Sequence, residues 1–363
     1  MIKRMIKKAL LASGLIIFTI AVVAVAGIFI LNAMVTQPEQ RDISREDRPT
    51  HNLDLDFDVL RPEDREPGVL HSIDPPQEFG MWERREHFYT FMIIGTDERR
   101  IADVIIIASY NVATHEANLV FIPRDMKVRP DLAERGDNVF RINGAYPSGR
   151  RFGGGDEGGI TQMLREVETI IGFEPDYYVT IGLVAFMRII DALGGVDIHV
   201  PFRMVYSDPA QHLFINLHPG TQRLDGNNTL GFVRYRQGMP GDPNATRQIS
   251  DVQRNEHQRM VIEAVAQRAR TIGLSQITTI IGNMLSNVRT NMELNDIIWF
   301  ATEYLNNSSR ITIRSESLPY TVESRPIWYA IPHAEPVLEV LNRTVNPFMR
   351  DLTPDDLQLV TQE

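Results

Sequence analysis

The chain has no cysteine among its 363 residues, which excludes a disulfide framework, a thiol nucleophile and a thiolate metal site. It has no positive surplus either: 37 Lys and Arg face 47 Asp and Glu, for a formal net charge of −10. A nucleic-acid binder needs a broad basic surface, so this composition argues against one. The nine histidines form no H-E-x-x-H or other metal spacing. Neither a Walker loop nor a G-x-S-x-G elbow occurs, and there are no internal repeats. One G-x-G-x-x-G does occur, at Gly153, Gly155 and Gly158. No strand leads into it, and Asp156 and Glu157 stand where a pyrophosphate needs positive potential. The stretch therefore reads as a loop.

Long apolar runs are missing everywhere but at the start. Lys3, Arg4, Lys7 and Lys8 precede an uncharged run from Ala9 to Leu31, long enough at helical rise to cross a hydrocarbon core. The reading is a cytoplasmic basic tail over residues 1–8 and a transmembrane anchor over 9–31, with the remainder outside the cytoplasmic membrane. Apolar sequence continues past Ala24-Val25-Ala26, which favours an uncleaved anchor over a signal peptide. Residues 32–86 are rich in Pro, Asp, Glu and Arg and read as an extended linker. Residues 87–270 read as a catalytic domain that 271–363 completes.

Charge is sparing and local in the stretch Phe91 to Asp125. Three Ile/Val/Phe-rich strands are expected there: His87 or Phe88 to Ile94, Val104 to Tyr110, and Ala117 to Ile122. If they alternate in direction, Asp97, Arg99, Asp103, Arg124 and Asp125 meet at one edge. Two carboxylates among arginines suit Mg²⁺ beside a phosphorylated ligand, with hard oxygens for the cation and guanidinium forks for phosphate. Solvated hairpin turns are the competing reading.

Beyond these strands, Arg141 to Tyr146 reads as a polar loop, and a helix carries Ile160, Met163, Leu164, Val167, Ile170 and Ile171 on one face. A strand at Asp176 to Ile181, a buried helix at Leu183 to Leu193 and a strand at Val196 to Val200 suggest a βαβ crossover. Arg234 and Arg236 share a face if Leu230 to Arg236 is a strand. Ser250 and Gln253 form a capping-box pair opening a long helix. On it Asp251, Arg254, His257 and Gln258 make a polar stripe, which on spacing alone is a wet face. Helices are expected at Ser275 to Val288, Glu293 to Asn306 and Glu335 to Val345, with a strand at Ile311 to Leu318. The fold class is α/β or mixed α+β: a central mixed β-sheet flanked by helices, preceded by one transmembrane helix.

Taken in order, these segments resemble the LytR-CpsA-Psr family of membrane-anchored bacterial cell-wall enzymes. The resemblance is carried from about Phe88 to Arg268 by Gly95-Thr96-Asp97-Glu98-Arg99, Ala102-Asp103, Ile122-Pro123-Arg124-Asp125 and Arg141 to Tyr146. It continues through Asp191 to Asp197, Val233-Arg234-Tyr235-Arg236 and Asp251 to Gln258. It implies a phosphotransferase that moves a glycopolymer phosphate from a polyprenyl pyrophosphate-linked glycan to a peptidoglycan sugar hydroxyl. By the same likeness Asp97 and Asp103 hold Mg²⁺, and Arg99, Arg124, Arg234, Arg236 and Arg254 grip the pyrophosphate. The helix at Leu183 to Leu193 helps wall an apolar lipid groove. Two positions depart from the pattern: Ile101, with Arg100 beside it, replaces an arginine, and His257-Gln258-Arg259 replaces an arginine and glutamines. A lipid pyrophosphate hydrolase and a non-catalytic glycolipid-binding or regulatory protein are the alternatives.

Overall fold

In this computed structural model the described residues are 36–41, 82–128, 141–152, 154–209, 213–239, 248–272, 276, 280, 288–323 and 328–360. The anchor expected over 9–31, most of the linker, Gly153 and nearly all of the expected helix at Ser275 to Val288 lie outside them. No helix among the described residues is long and apolar enough to cross a membrane.

The chain divides into two compact units, Gln40–Asn291 with Ser309–Glu363, and Met1–Glu39 with Met292–Ser308. The described part of the second is chiefly a helix, Leu294–Asn307, opened by a capping box between Glu293 and Asp296. Asn295 donates from its side chain to the Thr36 carbonyl at 3.2 Å.

The first unit is built on strands β1 (Phe88–Thr96), β2 (Ala102–Asn111) and β3 (Glu116–Phe121), which run antiparallel in sequence order as their turns require. Strands β4 (Tyr177–Gly182), β9 (Val288–Thr290) and β10 (Thr312–Ser317) extend the sheet to the order β10-β3-β2-β1-β4-β9. Two of its pairings, β1 with β4 and β10 with β3, are parallel, so the sheet is mixed. Strand β2 is buried on both faces. Ile105 and Ile107 enter one core with Met163, Val167 and Leu341, while Ile106 and Ala108 enter another with Leu119 and Phe121. Period-two alternation explains that split, and burial on both faces explains the unbroken Ile-Ile-Ile run.

Helix α1 (Ala145–Phe152) and the first residues of α2 (Asp156–Ile171) replace the expected polar and glycine-rich loops, while the rest of α2 is the helix expected to carry Ile160 to Ile171. Their glycines are needed for contact: a Cβ on Gly149 would meet the Gly158 carbonyl oxygen at 2.2 Å. Small residues at a helix crossing look like a loop in sequence and act as close packing in three dimensions.

The expected βαβ crossover does not form. Helix α3 (Leu183–Ala192) follows β4, but β5 (Val196–Val200) pairs antiparallel with β8 (Gly220–Leu224) in a separate two-stranded ribbon. Strands β6 (Met204–Asp208) and β7 (Leu213–Leu217) make a second ribbon. Leu193 ends α3, and Gly194 and Gly195 follow with φ of 75° and 83°, turning the chain away from the main sheet. Nor is α3 fully buried, since only Ala185 and Ile190 are covered within it. The ribbons, α3, α4 (Gly226–Arg234) and α5 (Asp251–Thr271) share a core around Ile198, Ile215, Phe232 and Val261. Strands β11 (Tyr320–Glu323) and β12 (Tyr329–Pro332) form a hairpin before α6 (Ala334–Thr344).

Candidate functional site

The turn between β1 and β2 is organised by Asp97. Its Oδ1 accepts the Ile101 N–H at 2.8 Å, its own N–H donates to the Ile101 carbonyl at 3.0 Å, and its carbonyl accepts the Arg100 N–H at 3.0 Å. Arg99 is exposed in the same turn. Where β2 begins, Gly95 pairs with Val104 but Thr96 pairs with Ala102. Asp103 is therefore the extra residue of a β-bulge, the device that re-aims a side chain at the end of a ladder.

Arg124 lies in the turn after β3, and three backbone hydrogen bonds hold that turn. Met126 N–H donates to the Pro123 carbonyl, Asn143 N–H to the Arg124 carbonyl at 3.1 Å, and Ala330 N–H to the Asp125 carbonyl at 2.9 Å. Arg124 Nη1 donates to Oδ1 of Asp103, and its Nε lies 3.6 Å from Asp125 Oδ2. The Asp125 carboxylate also accepts from Arg141 at 2.9 Å and Asn143 at 3.5 Å. The Arg141-Ile142-Asn143 segment, a 3₁₀ turn rather than a loop, thus braces the arginine from behind.

Arg234 and Arg236 do not lie on a strand. Asp225 caps α4 by accepting the Asn228 N–H at 2.8 Å, Arg234 occupies the last helical turn, and Tyr235 leaves in an extended conformation. Asp191 Oδ1 accepts the Gly226 N–H at 2.7 Å, and a Cβ at Gly226 would meet the Met187 carbonyl oxygen at 2.3 Å, so only glycine permits this seat on α3. A period-two reading of Val233 to Arg236 missed the Asp225 cap and this packing.

The polar stripe on α5 is not a wet face. Ser250 and Gln253 form the expected capping box, and Arg254, His257 and Gln258 are then only 9%, 3% and 9% exposed. The His257 ring stacks on Phe232 with centroids 4.4 Å apart. The Asp251 side chain lies outside the described residues.

These elements enclose a groove of about 1100 Å³. Asp103, Arg124, Arg234, Arg236 and Arg254 all line it, so five of the seven expected site residues come together there, with Asp97 and Arg99 in the adjoining turn. Its apolar wall includes Ile93, Ile181, Leu183, Phe186, Val233 and Val261. A smaller cavity of about 150 Å³ shares Asp103, Arg124, Arg254 and Gln258 with the groove. Tyr320, Trp328 and Tyr329 line it, from a segment in which the sequence shows no chemistry. Three aromatics within ten residues were the available signal, but only the hairpin register places them here.

The LytR_cpsA_psr family model matches residues 63–345, well over half of the chain. Two curated relatives are named polyisoprenyl-teichoic acid–peptidoglycan teichoic acid transferase TagU. The one from Oceanobacillus iheyensis is 28% identical over 277 residues, covering 74% of this chain and 78% of the relative. The one from Halalkalibacterium halodurans is 26% identical over 306 residues, covering 81% and 83%. The crystal structure of B. subtilis TagV superimposes with a TM-score of 0.55 at 22% identity over 71% of this chain and 96% of TagV, a likeness of fold. The class is that of transferases. The chain belongs to the LytR_cpsA_psr family.

Proposed function

We propose that this chain is a Mg²⁺-dependent phosphotransferase that moves a glycopolymer phosphate from a polyprenyl pyrophosphate carrier to a sugar hydroxyl of peptidoglycan. The observation that carries the reading is the groove itself, in which four arginines and a bulged aspartate meet an extended apolar wall. A pyrophosphate on a polyprenyl chain has the same division of character, anionic head and apolar tail. The named activity of the TagU relatives agrees with it. The apolar run at residues 9–31 supports an anchor in the cytoplasmic membrane with this unit on its outer side.

Two carboxylates support the reading of a divalent cation. Mg²⁺ in phosphoryl-transfer sites commonly takes one or two carboxylates and fills its shell with water and substrate phosphate oxygens. Asp97 and Asp103, at the two ends of one short turn, supply that number. Held there, the ion would supply charge neutralisation at the pyrophosphate oxygens.

In the step proposed, the acceptor hydroxyl oxygen forms a bond to the phosphorus bearing the glycan. The bond from that phosphorus to the bridging oxygen breaks, and its electron pair leaves with the polyprenyl monophosphate. One carboxylate of the pair, Asp103 or Asp97, takes the hydroxyl proton. Arg124, Arg234, Arg236 and Arg254 hold the phosphate oxygens, with Arg99 in the neighbouring turn. Each charge-assisted contact contributes about 1.5–3 kcal/mol, and contacts that tighten as charge moves to the leaving phosphate accelerate the reaction.

The test is the full-length chain in vesicles with a polyprenyl pyrophosphate-linked glycan and Mg²⁺, followed for polyprenyl monophosphate. Release that depends on metal and is lost in Asp103→Ala is the expected result. Tight binding without release when acceptor is supplied would turn the reading to a glycolipid-binding protein.

A further inference from the structure

We infer that the hairpin β11–β12 and the second turn of α5 form the acceptor-sugar subsite, with Trp328 as the stacking platform and Asn255 and Gln258 as hydrogen-bonding groups. The inference rests on the phosphotransferase reading above and names where its second substrate binds.

The argument begins with geometry at phosphorus. The attacking and leaving oxygens must lie roughly in line. If the lipid phosphate leaves into the apolar groove, the hydroxyl must arrive from the other side of Asp103 and Arg124. The 150 Å³ cavity adjoins these two residues: it shares them and Arg254, Gln258, Tyr320 and Trp328 with the groove, and adds Asn255, Val322 and Tyr329.

Its chemistry suits a sugar ring. Trp328 is 64% exposed and Val322 54% exposed, large apolar surfaces left in water at β11 and just before β12. Ala330 N–H donates to the Asp125 carbonyl and its own carbonyl accepts the Lys127 N–H, both at 2.9 Å, and Ala330 and Ile331 are buried. Lys127 Nζ lies 5.6 Å from the centroid of the Tyr329 ring and 3.6 Å from Glu323 Oε2. The backbone two residues beyond Trp328 is therefore fastened to the same turn that carries Arg124. An aromatic ring offers a flat apolar face for the C–H face of a pyranose, and its polar edge stays wet. Asn255 and Gln258 add amide donors and acceptors that hydroxyl and acetamido groups can pair with.

Two measurements test this. First, the full-length protein is titrated with a soluble peptidoglycan tetrasaccharide while intrinsic tryptophan fluorescence is read; of the three tryptophans only Trp328 lines either cavity. A saturable change is expected in the wild type, absent in Trp328→Ala and retained in Trp328→Phe when binding is followed by calorimetry. Second, transfer is assayed against acceptor concentration. Asn255→Ala and Trp328→Ala should each raise the acceptor KM at least tenfold, and Asn255→Ala should leave the Kd for the polyprenyl pyrophosphate glycan within twofold. An unchanged acceptor KM in a wild type that does transfer would overturn the subsite alone. A loss of donor affinity in Asn255→Ala would assign the cavity to the donor glycan and overturn it too. A wild type that binds the tetrasaccharide at Trp328 but never releases polyprenyl phosphate would overturn the phosphotransferase reading and leave a glycan site standing.

Discussion

The guanidinium of Arg124, after β3, donates to the carboxylate of Asp103 on the bulge that opens β2. That pair ties the cation-binding side of the proposed site to its phosphate-binding side. Replacing Asp103 by Ala should abolish polyprenyl phosphate release while leaving circular dichroism unchanged, because the side chain is about one-third exposed and is not part of the core. Turnover at the wild-type rate would remove Asp103 from the mechanism.

Arg124→Ala should weaken binding of the pyrophosphate lipid by more than tenfold, the equivalent of losing a contact of about 2 kcal/mol. Arg124→Lys should recover only part of this, since an ammonium cannot reproduce the guanidinium fork. An unmoved Kd in both variants would mean that the arginine serves only Asp103 and Asp125.

Asp97 supports both the turn and the proposed cation, and the two roles are separable. Asp97→Asn keeps an oxygen that can accept the Ile101 N–H but removes the charge. Its thermal stability should therefore match the wild type while the Mg²⁺ concentration for half-maximal turnover rises several-fold. Removing metal with EDTA should stop the wild type and added Mg²⁺ should restore it. A wild type indifferent to EDTA would end the metal reading.

Gly226→Ala tests how α4 carries Arg234 to the groove. The new Cβ cannot occupy a place 2.3 Å from the Met187 carbonyl oxygen, so α4 must shift on α3. Overpacking of this kind costs roughly 1–3 kcal/mol. A lower Tm should accompany a weaker donor affinity, and a drop in Tm with unchanged donor Kd would separate Arg234 from this helix seat.

Asp356 gives a prediction about acid stability. Burial raises its pKa, but the paired hydrogen bonds from Arg350, both 2.8 Å, and those from Thr353 outweigh it and hold the carboxyl below its ordinary value. A depressed folded-state pKa means stability that is complete above the unfolded value, about 3.9, and lost as pH falls through the folded one. Asp356→Asn should lower Tm at pH 7, by the equivalent of about 3 kcal/mol for a broken buried pair, and the gap to wild type should narrow as pH falls below the unfolded value. A gap that does not narrow would show that shape and not charge holds the Arg350 loop.

Local physics determined much of this protein in advance. Continuous β-branched runs between turn residues specified β1 to β3 and their alternation, so the edge where Asp103 and Arg124 meet was legible from spacing alone. Ser250 and Gln253 announced the start of α5, and the glycine pair after Leu193 announced the end of α3. These are short-range effects, settled by a few neighbouring residues. Contacts distant in sequence decided the rest. The bulge at Asp103 exists only because β1 and β2 pair with an offset. The segment Leu230 to Arg234 is helical because Asp225 caps it and Gly226 fits against Met187, neither of which period-two alternation can register. The stripe of Arg254, His257 and Gln258 looks like a solvated face, yet all three are buried and His257 stacks on Phe232. Trp328 reaches the site because the hairpin hydrogen-bonds to a turn some two hundred residues earlier in the chain. Residue type and spacing specified the chemistry available, and tertiary packing decided which of those groups face one another.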